Sequence, residues 1–179
     1  MTGRTQELTL KSTKDAQTVS PSGERLEPLI HGVVVRPATL HPDERGEICE
    51  VYNPAWGVTS DPLVYVYTAS VRPGRIKGWV YHKLQMDRMF VLLGSLKIVL
   101  FDLREDSPTV GLVNEIYLTE RNRGLLVIPA FVAHAVQNVG ETEGVFINMP
   151  NRPYNHADPD KYRVPGDQIP YSFDKGPGW

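Results

Sequence analysis

The chain has 179 residues and a formal net charge of −2 at pH 7, which excludes a strongly basic chain and disfavours nucleic-acid binding. Hydrophobic residues make up 41% of the sequence, enough for the core of one domain but not of two full domains. Cys49 is the single cysteine, and the sequence shows neither a secretory signal nor an apolar run of about 20 residues, so we expect a cytoplasmic protein without a disulfide or membrane contact.

The predicted elements start after a polar arm, residues 1–27, which has no apolar pattern of its own. Residues 28–150 contain short runs of Val, Ile, Leu, Phe and Tyr separated by turn residues, a pattern typical of β-strands. The predicted strands are residues 30–35, 47–52, 63–71, 76–82, 88–93, 96–101, 113–118, 124–128, 134–138 and 144–149. Ten short strands at close spacing predict an all-β fold, an antiparallel double-sheet roll.

The C-terminal residues 151–179 are rich in Pro, Asp, Tyr and Gly. This composition predicts an irregular tail packed on the barrel, because proline and glycine interrupt regular strands. The one candidate for a helix lies near residues 158–162.

Two blocks of the sequence carry histidines within patterns of spaced glycine, proline and acidic residues. The first block contains Gly74, Val80, His82, Asp87 and Gly94, and the second contains Pro129, Phe131, His134 and Asn138. Their spacing resembles the paired β-hairpin motifs of the cupin superfamily, with Val80 replacing one histidine and Phe131 replacing a glycine. The resemblance implies the cupin double-stranded β-helix, or jelly-roll barrel. Residues two apart on a strand face the same way, so His82 and Val80 are both predicted to face the barrel interior.

Within the cupins, four segments resemble the dTDP-4-dehydrorhamnose 3,5-epimerase family: residues 43–50, 77–79, 96–104 and 128–134. The resemblance implies that Arg45 contacts the nucleotide phosphate and that Glu50 helps to hold the nucleotide. Tyr65 and Tyr67 match a strand that contacts the base or the sugar in the family.

Three cations are the predicted contacts of a diphosphate. Arg45, Lys77 and Arg88 are the candidates, because guanidinium and ammonium groups suit phosphate oxygens.

The catalytic positions of the family are only partly present. The position of the family's base is Val80, and His82 lies two residues further along the same strand. The family's proton-donating tyrosine falls near residues 146–148, which contain none. Tyr81 and Tyr154 are the nearest substitutes, and Asp167 or Asp174 is the candidate partner of the base.

Epimerisation next to a ketone requires a base for the α proton, a group that stabilises the enolate oxygen, and an acid that returns a proton. The resemblance therefore implies an epimerase or isomerase of a nucleotide-linked 4-keto-6-deoxy sugar, with dTDP as the expected nucleotide. We assign His82 as the base, His134 as the group that holds the sugar oxygens, and Tyr81 or Tyr154 as the acid. No cofactor and no bound metal are expected. A homodimer that exchanges the N-terminal arm and edge strands is implied by the family.

Two alternatives remain open at this point. His82, His134 and Asp87 would form a two-histidine, one-carboxylate set of the kind that binds Fe, Mn or Ni, provided that Asp87, which follows a turn, faces the two histidines. The second alternative is a cupin that binds a sugar nucleotide without reacting, because the family tyrosine is missing.

Overall fold

Twelve β-strands form the regular structure of the residues that the computed structural model describes, which are 13–23 and 25–173. They are β1 Val34–Pro37, β2 Leu40–Asp43, β3 Gly46–Cys49, β4 Tyr67–Val71, β5 Ile76–Tyr81, β6 Asp87–Leu93, β7 Ser95–Asp102, β8 Val113–Thr119, β9 Gly124–Ile128, β10 Val132–Asn138, β11 Gly144–Asn148 and β12 Tyr162–Arg163. Two single 3₁₀ turns, Pro54–Trp56 and Gly166–Gln168, interrupt the loops. The predicted arm residues 1–12 and the candidate Asp174 lie outside the described residues.

The strands form two five-stranded antiparallel sheets and a separate hairpin. The first sheet has the order β1-β9-β6-β11-β4, the second has the order β12-β5-β10-β7-β8, and β2 pairs only with β3. Every pairing is antiparallel, and consecutive strands from β4 to β11 alternate between the two sheets, except that β7 and β8 are neighbours in the second sheet. This is the jelly roll that the strand spacing and the cupin motifs predict, and the fold prediction is confirmed.

The main core fills one end of the space between the two sheets. Leu96, Ile98 and Leu100 of β7 face Leu126 and Ile128 of β9, and each of these side chains is at most 1% exposed. Burying one such side chain contributes roughly 1.5–3 kcal/mol relative to leaving it in water. This packing fixes the distance between the sheets and leaves the other end open as a cavity.

Two smaller clusters cover the outer faces of the sheets. Trp79 and Ile169 pack together outside the second sheet, beneath the C-terminal tail. Phe90 and Met149 pack outside the first sheet, where Cys49 at the end of β3 is half-buried and not disulfide-bonded. Both outer faces therefore carry apolar clusters of their own, apart from the interior cavity.

The structure differs from the predicted elements at several places. Residues 30–33, 50–52 and 63–66 were predicted in strands but belong to none, and residues 40–43 form a strand that the sequence did not indicate. Residues 158–162 contain no helix; the chain leads into β12, which pairs with β5. The tail is thus partly regular, because this pairing supplies an edge strand to the second sheet. No helix in the described part of the chain has the length and apolar character needed to cross a bilayer.

Candidate active site

A cavity of about 370 Å³ opens between the uncovered ends of the two sheets. Its walls come from β5 and β10 of the second sheet, from β4, β6 and β11 of the first sheet, and from the tail. The polar lining residues are Tyr65, Tyr67, Lys77, His82, Gln85, Asp87, His134, Asn148, Tyr154, Lys161 and Arg163. A cleft of this size, with apolar walls and a few convergent polar groups, is the usual form of a small-molecule site.

The register of β5 and β10 brings the two predicted histidines together. His134 pairs directly with Val80, so both residues face the cavity, and His82 lies two residues beyond Val80 on the same face. The ring centroids of His82 and His134 are 5.7 Å apart. The prediction from strand alternation that Val80 and His82 face the same interior is therefore met.

Asp87 lies between the two histidines. Its Oδ2 atom is 3.3 Å from Nε2 of His82 and 3.5 Å from Nε2 of His134. Asp87 opens β6 in the facing sheet and is almost completely buried, so the turn between β5 and β6 returns the carboxylate toward His82. The sequence left open whether Asp87 faces the histidines, and the structure shows that it does.

Backbone carbonyl groups orient both imidazole rings. Nδ1 of His82 is hydrogen-bonded to the carbonyl oxygen of Asp160, and Nδ1 of His134 to that of Val132 at 3.2 Å. Because a carbonyl oxygen only accepts, both Nδ1 atoms carry a proton, and both Nε2 atoms face Asp87. Phe131, at a φ of 59° in the left-handed region where cupins place glycine, donates its N–H to the carbonyl oxygen of His82 at 2.7 Å.

Amide side chains hold the Asp87 carboxylate. Nε2 of Gln85 donates to Oδ1 of Asp87 at 2.7 Å, and Nδ2 of Asn148 donates to the same oxygen at 2.9 Å. Nδ2 of Asn148 also donates to the hydroxyl oxygen of Tyr67 at 2.8 Å. Both amide donors bind Oδ1, which holds the carboxylate in place. Oδ2 is left facing the two histidines.

The surroundings shift the pKa values of Asp87, His134 and His82 in different ways. Burial of Asp87 raises its pKa, but the hydrogen bond to His82 and the charges of both histidines outweigh this and lower the pKa to about 2. Burial of His134 lowers its pKa more than Asp87 raises it. Burial also opposes the protonation of His82, but the hydrogen bond and charge of Asp87 raise its pKa overall. At neutral pH the carboxylate is therefore ionised, His134 is neutral, and His82 is the basic group.

Cations line the outer side of the cavity. Lys77 of β5 and the tail residues Lys161 and Arg163 reach it from the second sheet. Arg163 pairs with Val80 across β12 and β5, which turns Arg163 toward the cavity. Three exposed cations at one side of an otherwise acidic-to-neutral cavity can bind a phosphate group.

Two of the predicted site residues lie on strands of the barrel but outside the cavity. Tyr81 faces outward from β5 and stacks on Tyr162 with ring centroids 5.1 Å apart. Arg88 is fully buried behind the first sheet, where it donates to the carbonyl oxygen of Pro62 at 2.9 Å and lies over the ring of Tyr52. Successive side chains of a strand point to opposite faces. Tyr81 and Arg88 point away from the cavity because their sequence neighbours, His82 and Asp87, point into it.

The predicted nucleotide-binding pair also lies outside the cavity of the single chain. Arg45 is at the turn of the β2–β3 hairpin, where it forms an ion pair with Asp43 at 2.5 Å and is largely exposed. Glu50 accepts a hydrogen bond from Asn53. Neither residue approaches the histidines within one chain, because the hairpin pairs with neither large sheet. Asp167, in the turn Gly166–Gln168, is exposed and does not line the cavity.

The sequence interpretation did not assign five residues that line or support the cavity: Gln85, Asn148, Asp160, Lys161 and Arg163. For the last two a signal existed, because cationic and aromatic residues alternate in the segment 161–163, a short strand pattern. Asp160 gave no such signal, since its role depends on a contact with residues about 75 positions away.

Asp160 fastens the tail to the turn that follows His82. Its carboxylate accepts hydrogen bonds from the backbone N–H groups of Lys83, Leu84 and Gln85 at 2.8–2.9 Å. We expect Asp160→Ala to lower the free energy of unfolding by about 1–2 kcal/mol, or roughly 2–8 °C in Tm, because three donors lose a charged acceptor. Calorimetry measures the loss; an unchanged Tm would contradict it.

The fold and the site together define a class of protein. A jelly roll whose interior holds a buried carboxylate between two oriented histidines, beside a cationic wall, is a cupin-type enzyme.

Comparison with known proteins gives the family. The model of the dTDP-4-dehydrorhamnose 3,5-epimerase family matches residues 27–170. The spore coat polysaccharide biosynthesis protein SpsL of Bacillus subtilis is 36% identical over 145 residues, which cover 81% of this chain and 95% of that protein. The probable low-salt glycan biosynthesis epimerase Agl13 of Haloferax volcanii is 32% identical over 142 residues, 78% of this chain and 90% of that protein.

A solved structure agrees with these relatives. The dTDP sugar isomerase from Desulfovibrio desulfuricans G20 superposes with a TM-score of 0.75 at 27% identity, covering 83% of this chain and 94% of that chain. The chain belongs to the dTDP-4-dehydrorhamnose 3,5-epimerase family. The predicted family and the predicted enzyme class, a sugar-nucleotide epimerase or isomerase, are confirmed.

Proposed function

We propose that this enzyme epimerises or isomerises a dTDP-linked 4-keto-6-deoxy sugar by removing a proton from a carbon next to the ketone, with His82 as the base. The observation that carries the proposal is the position of Asp87 beside Nε2 of His82 within the cavity. A buried carboxylate at this distance raises the basicity of an imidazole, and the raised pKa of His82 has this cause.

His134 and the tail supply the remaining functions. His134 is neutral and lies on the same wall as His82, where it can bind the oxygens of the sugar. Lys77, Lys161 and Arg163 form the cationic side that receives the diphosphate. Tyr65 and Tyr67 lie on the opposite wall, their rings 5.5 Å apart, and form an aromatic surface for the sugar. The proposal thus replaces Arg88, which does not reach the cavity, by two tail residues.

The ketone is the chemical feature that the proposal requires. A ketone lowers the barrier to proton removal from the neighbouring carbon, and the same sugar without it has no acidic proton. We expect the enzyme to convert dTDP-4-keto-6-deoxyglucose into a stereoisomer or keto tautomer and to leave dTDP-glucose unchanged, as followed by NMR of both nucleotides. Recovery of the unchanged ketosugar, with binding demonstrated by calorimetry, would instead favour a binding protein without turnover.

The proposal includes a cytoplasmic homodimer. β4 is an edge strand of the first sheet, and the residues before it expose apolar side chains, with Val64 46% and Val66 51% exposed. Ile48 on the β2–β3 hairpin is 72% exposed. Pairing of these edges between two copies would cover them and give Arg45 and Glu50 a route to a nucleotide bound in the partner.

A metal-dependent enzyme is the second candidate, and the same three side chains favour it. One ligand atom each from His82, Asp87 and His134 lie within 4.8 Å of one another, and the carbonyl-bound Nδ1 atoms leave both Nε2 atoms directed at one point. In that case a divalent metal copurifies in stoichiometric amount and chelation abolishes turnover. Full turnover by protein shown to be metal-free would exclude this candidate.

A further inference from the structure

The position that carries the family's proton-donating tyrosine has no tyrosine in this chain. The corresponding neighbourhood, residues 146–148, lies on β11, and its cavity-facing members are Phe146 and Asn148. Neither a phenyl ring nor a carboxamide can deliver a proton to an enolate carbon. An inverting reaction therefore needs a donor from another element of the cavity wall.

The strand next to β11 supplies a phenol at the same level. β4 pairs with β11 so that Tyr67 lies directly opposite Asn148, which places both side chains on the cavity face. Nδ2 of Asn148 donates to the hydroxyl oxygen of Tyr67 at 2.8 Å and to Oδ1 of Asp87 at 2.9 Å. The Tyr67 hydroxyl is thus connected, through the side-chain amide of Asn148, to the Asp87 carboxylate beside His82.

The direction of this hydrogen bond leaves the phenolic proton for donation. The Tyr67 oxygen accepts from Asn148, so its own proton points elsewhere, and the structure gives it no acceptor among the described residues. Burial raises the pKa of Tyr67 above its ordinary value, which keeps the phenol protonated at neutral pH. The residue is 38% exposed and lines the cavity, so water can restore the proton.

Two other tyrosines line the cavity, and neither has these properties. Tyr65 makes no side-chain hydrogen bond within the described residues, and its ring packs on that of Tyr67. Tyr154 is 40% exposed and makes an edge contact with His156 on the tail. Tyr67 is therefore the tyrosine of the cavity that is connected to the histidine–carboxylate cluster.

The positions of Tyr67 and His82 suit inversion. His82 follows β5 in the second sheet, whereas Tyr67 is on β4 in the first sheet, so a sugar ring between the sheets has one group on each side. We infer that Tyr67 is the catalytic acid that protonates the enolate on the face opposite His82. This inference rests on the proposed function and adds the residue that determines inversion.

The proton transfers balance as follows. His82 removes the α proton through Nε2, and the electrons of the C–H bond form the enolate, whose charge lies on the former ketone oxygen. The enolate carbon then takes the proton of the Tyr67 hydroxyl on the other face, and the ketone is restored. Water returns a proton to the phenolate and accepts the proton carried by His82, so neither an oxidant nor a reductant is needed.

The test compares wild-type enzyme with Tyr67→Phe and Tyr65→Phe in deuterated water, using dTDP-4-keto-6-deoxyglucose. NMR measures two rates in each sample: deuterium incorporation next to the ketone and formation of the inverted stereoisomer. We expect Tyr67→Phe to lower the rate of inversion by roughly 10²-fold or more while deuterium incorporation without inversion persists, because His82 still removes and returns protons on its own face.

Tyr65→Phe is the matched variant, since it removes the neighbouring hydroxyl from the same wall. It is expected to weaken substrate binding but to keep the wild-type ratio of inversion to deuterium incorporation. An unchanged ratio in Tyr67→Phe, or loss of inversion in Tyr65→Phe instead, would overturn the assignment of Tyr67 alone. Absence of deuterium incorporation in the wild-type enzyme would overturn the proposed function itself, and the two failures are therefore distinguishable.

Discussion

His82→Asn is expected to lower turnover by about 10²- to 10⁴-fold, the range that a general base contributes. The substitution removes the Nε2 lone pair beside Asp87, and no other basic group of the cluster replaces it, because His134 is neutral with a lowered pKa and Asp87 has a pKa of about 2. Asparagine keeps an N–H group that can donate to the carbonyl oxygen of Asp160, so the local structure is retained. Steady-state kinetics with the dTDP-ketosugar measures the effect.

His31→Asn is the matched control for this substitution. His31 is exposed at a turn, and its recorded hydrogen bonds involve its backbone: the N–H donates to Thr109 at 2.9 Å and the carbonyl accepts from Arg104. This variant is expected to retain turnover within about twofold, in keeping with a surface change. If His82→Asn kept more than about a tenth of wild-type turnover, the assignment of the base would be wrong.

Asp87→Asn is expected to have the second-largest effect, a loss of turnover of roughly 10²-fold. The new carboxamide oxygen can still accept from Gln85 and Asn148, so the fold is retained. Its amide nitrogen would instead donate to Nε2 of His82 and occupy the lone pair that removes the proton. Loss of the charge also lowers the pKa of His82, so the acid limb of the kcat/KM profile moves to lower pH.

The same carboxylate makes folding stability depend on pH. The pKa of Asp87 falls from 3.8 to about 2 on folding, so its contribution, about 2 kcal/mol, is present above pH 3.8 and is lost as the pH falls toward 2. Asp87→Asn should remove this part of the acid-induced loss, as measured by urea unfolding between pH 5 and pH 2. Equal slopes of stability against pH in the two proteins would contradict the ionised state of Asp87.

Strand periodicity predicted much of the fold and the centre of the site. Runs of β-branched and aromatic residues marked most of the strands, because side chains buried on both faces of a sheet form continuous apolar segments. The spacing of Val80 and His82 and the second motif with His134 predicted a shared cavity, which the pairing of β5 with β10 produces. These features depend on local alternation and can be read from one sequence.

The remaining parts of the site depend on long-range pairing. Arg88 was predicted to bind phosphate, yet its neighbour Asp87 faces the cavity, and alternation then forces Arg88 behind the sheet. Lys161 and Arg163 enter the cavity because β12 pairs with β5, about 80 residues earlier in the chain. Such a pairing is set by the fold as a whole: the alternation in residues 161–163 indicates a short strand but does not show which strand it pairs with.

Solvent deuterium exchange in the wild-type enzyme tests the central claim most directly. Protein analysed for metal is mixed with dTDP-4-keto-6-deoxyglucose in deuterated water, and NMR follows the protons on the carbons next to the ketone. We expect metal-free enzyme to replace at least one of these protons by deuterium during turnover, and His82→Asn to replace none. Bound substrate that keeps all its protons would contradict enolate chemistry at His82.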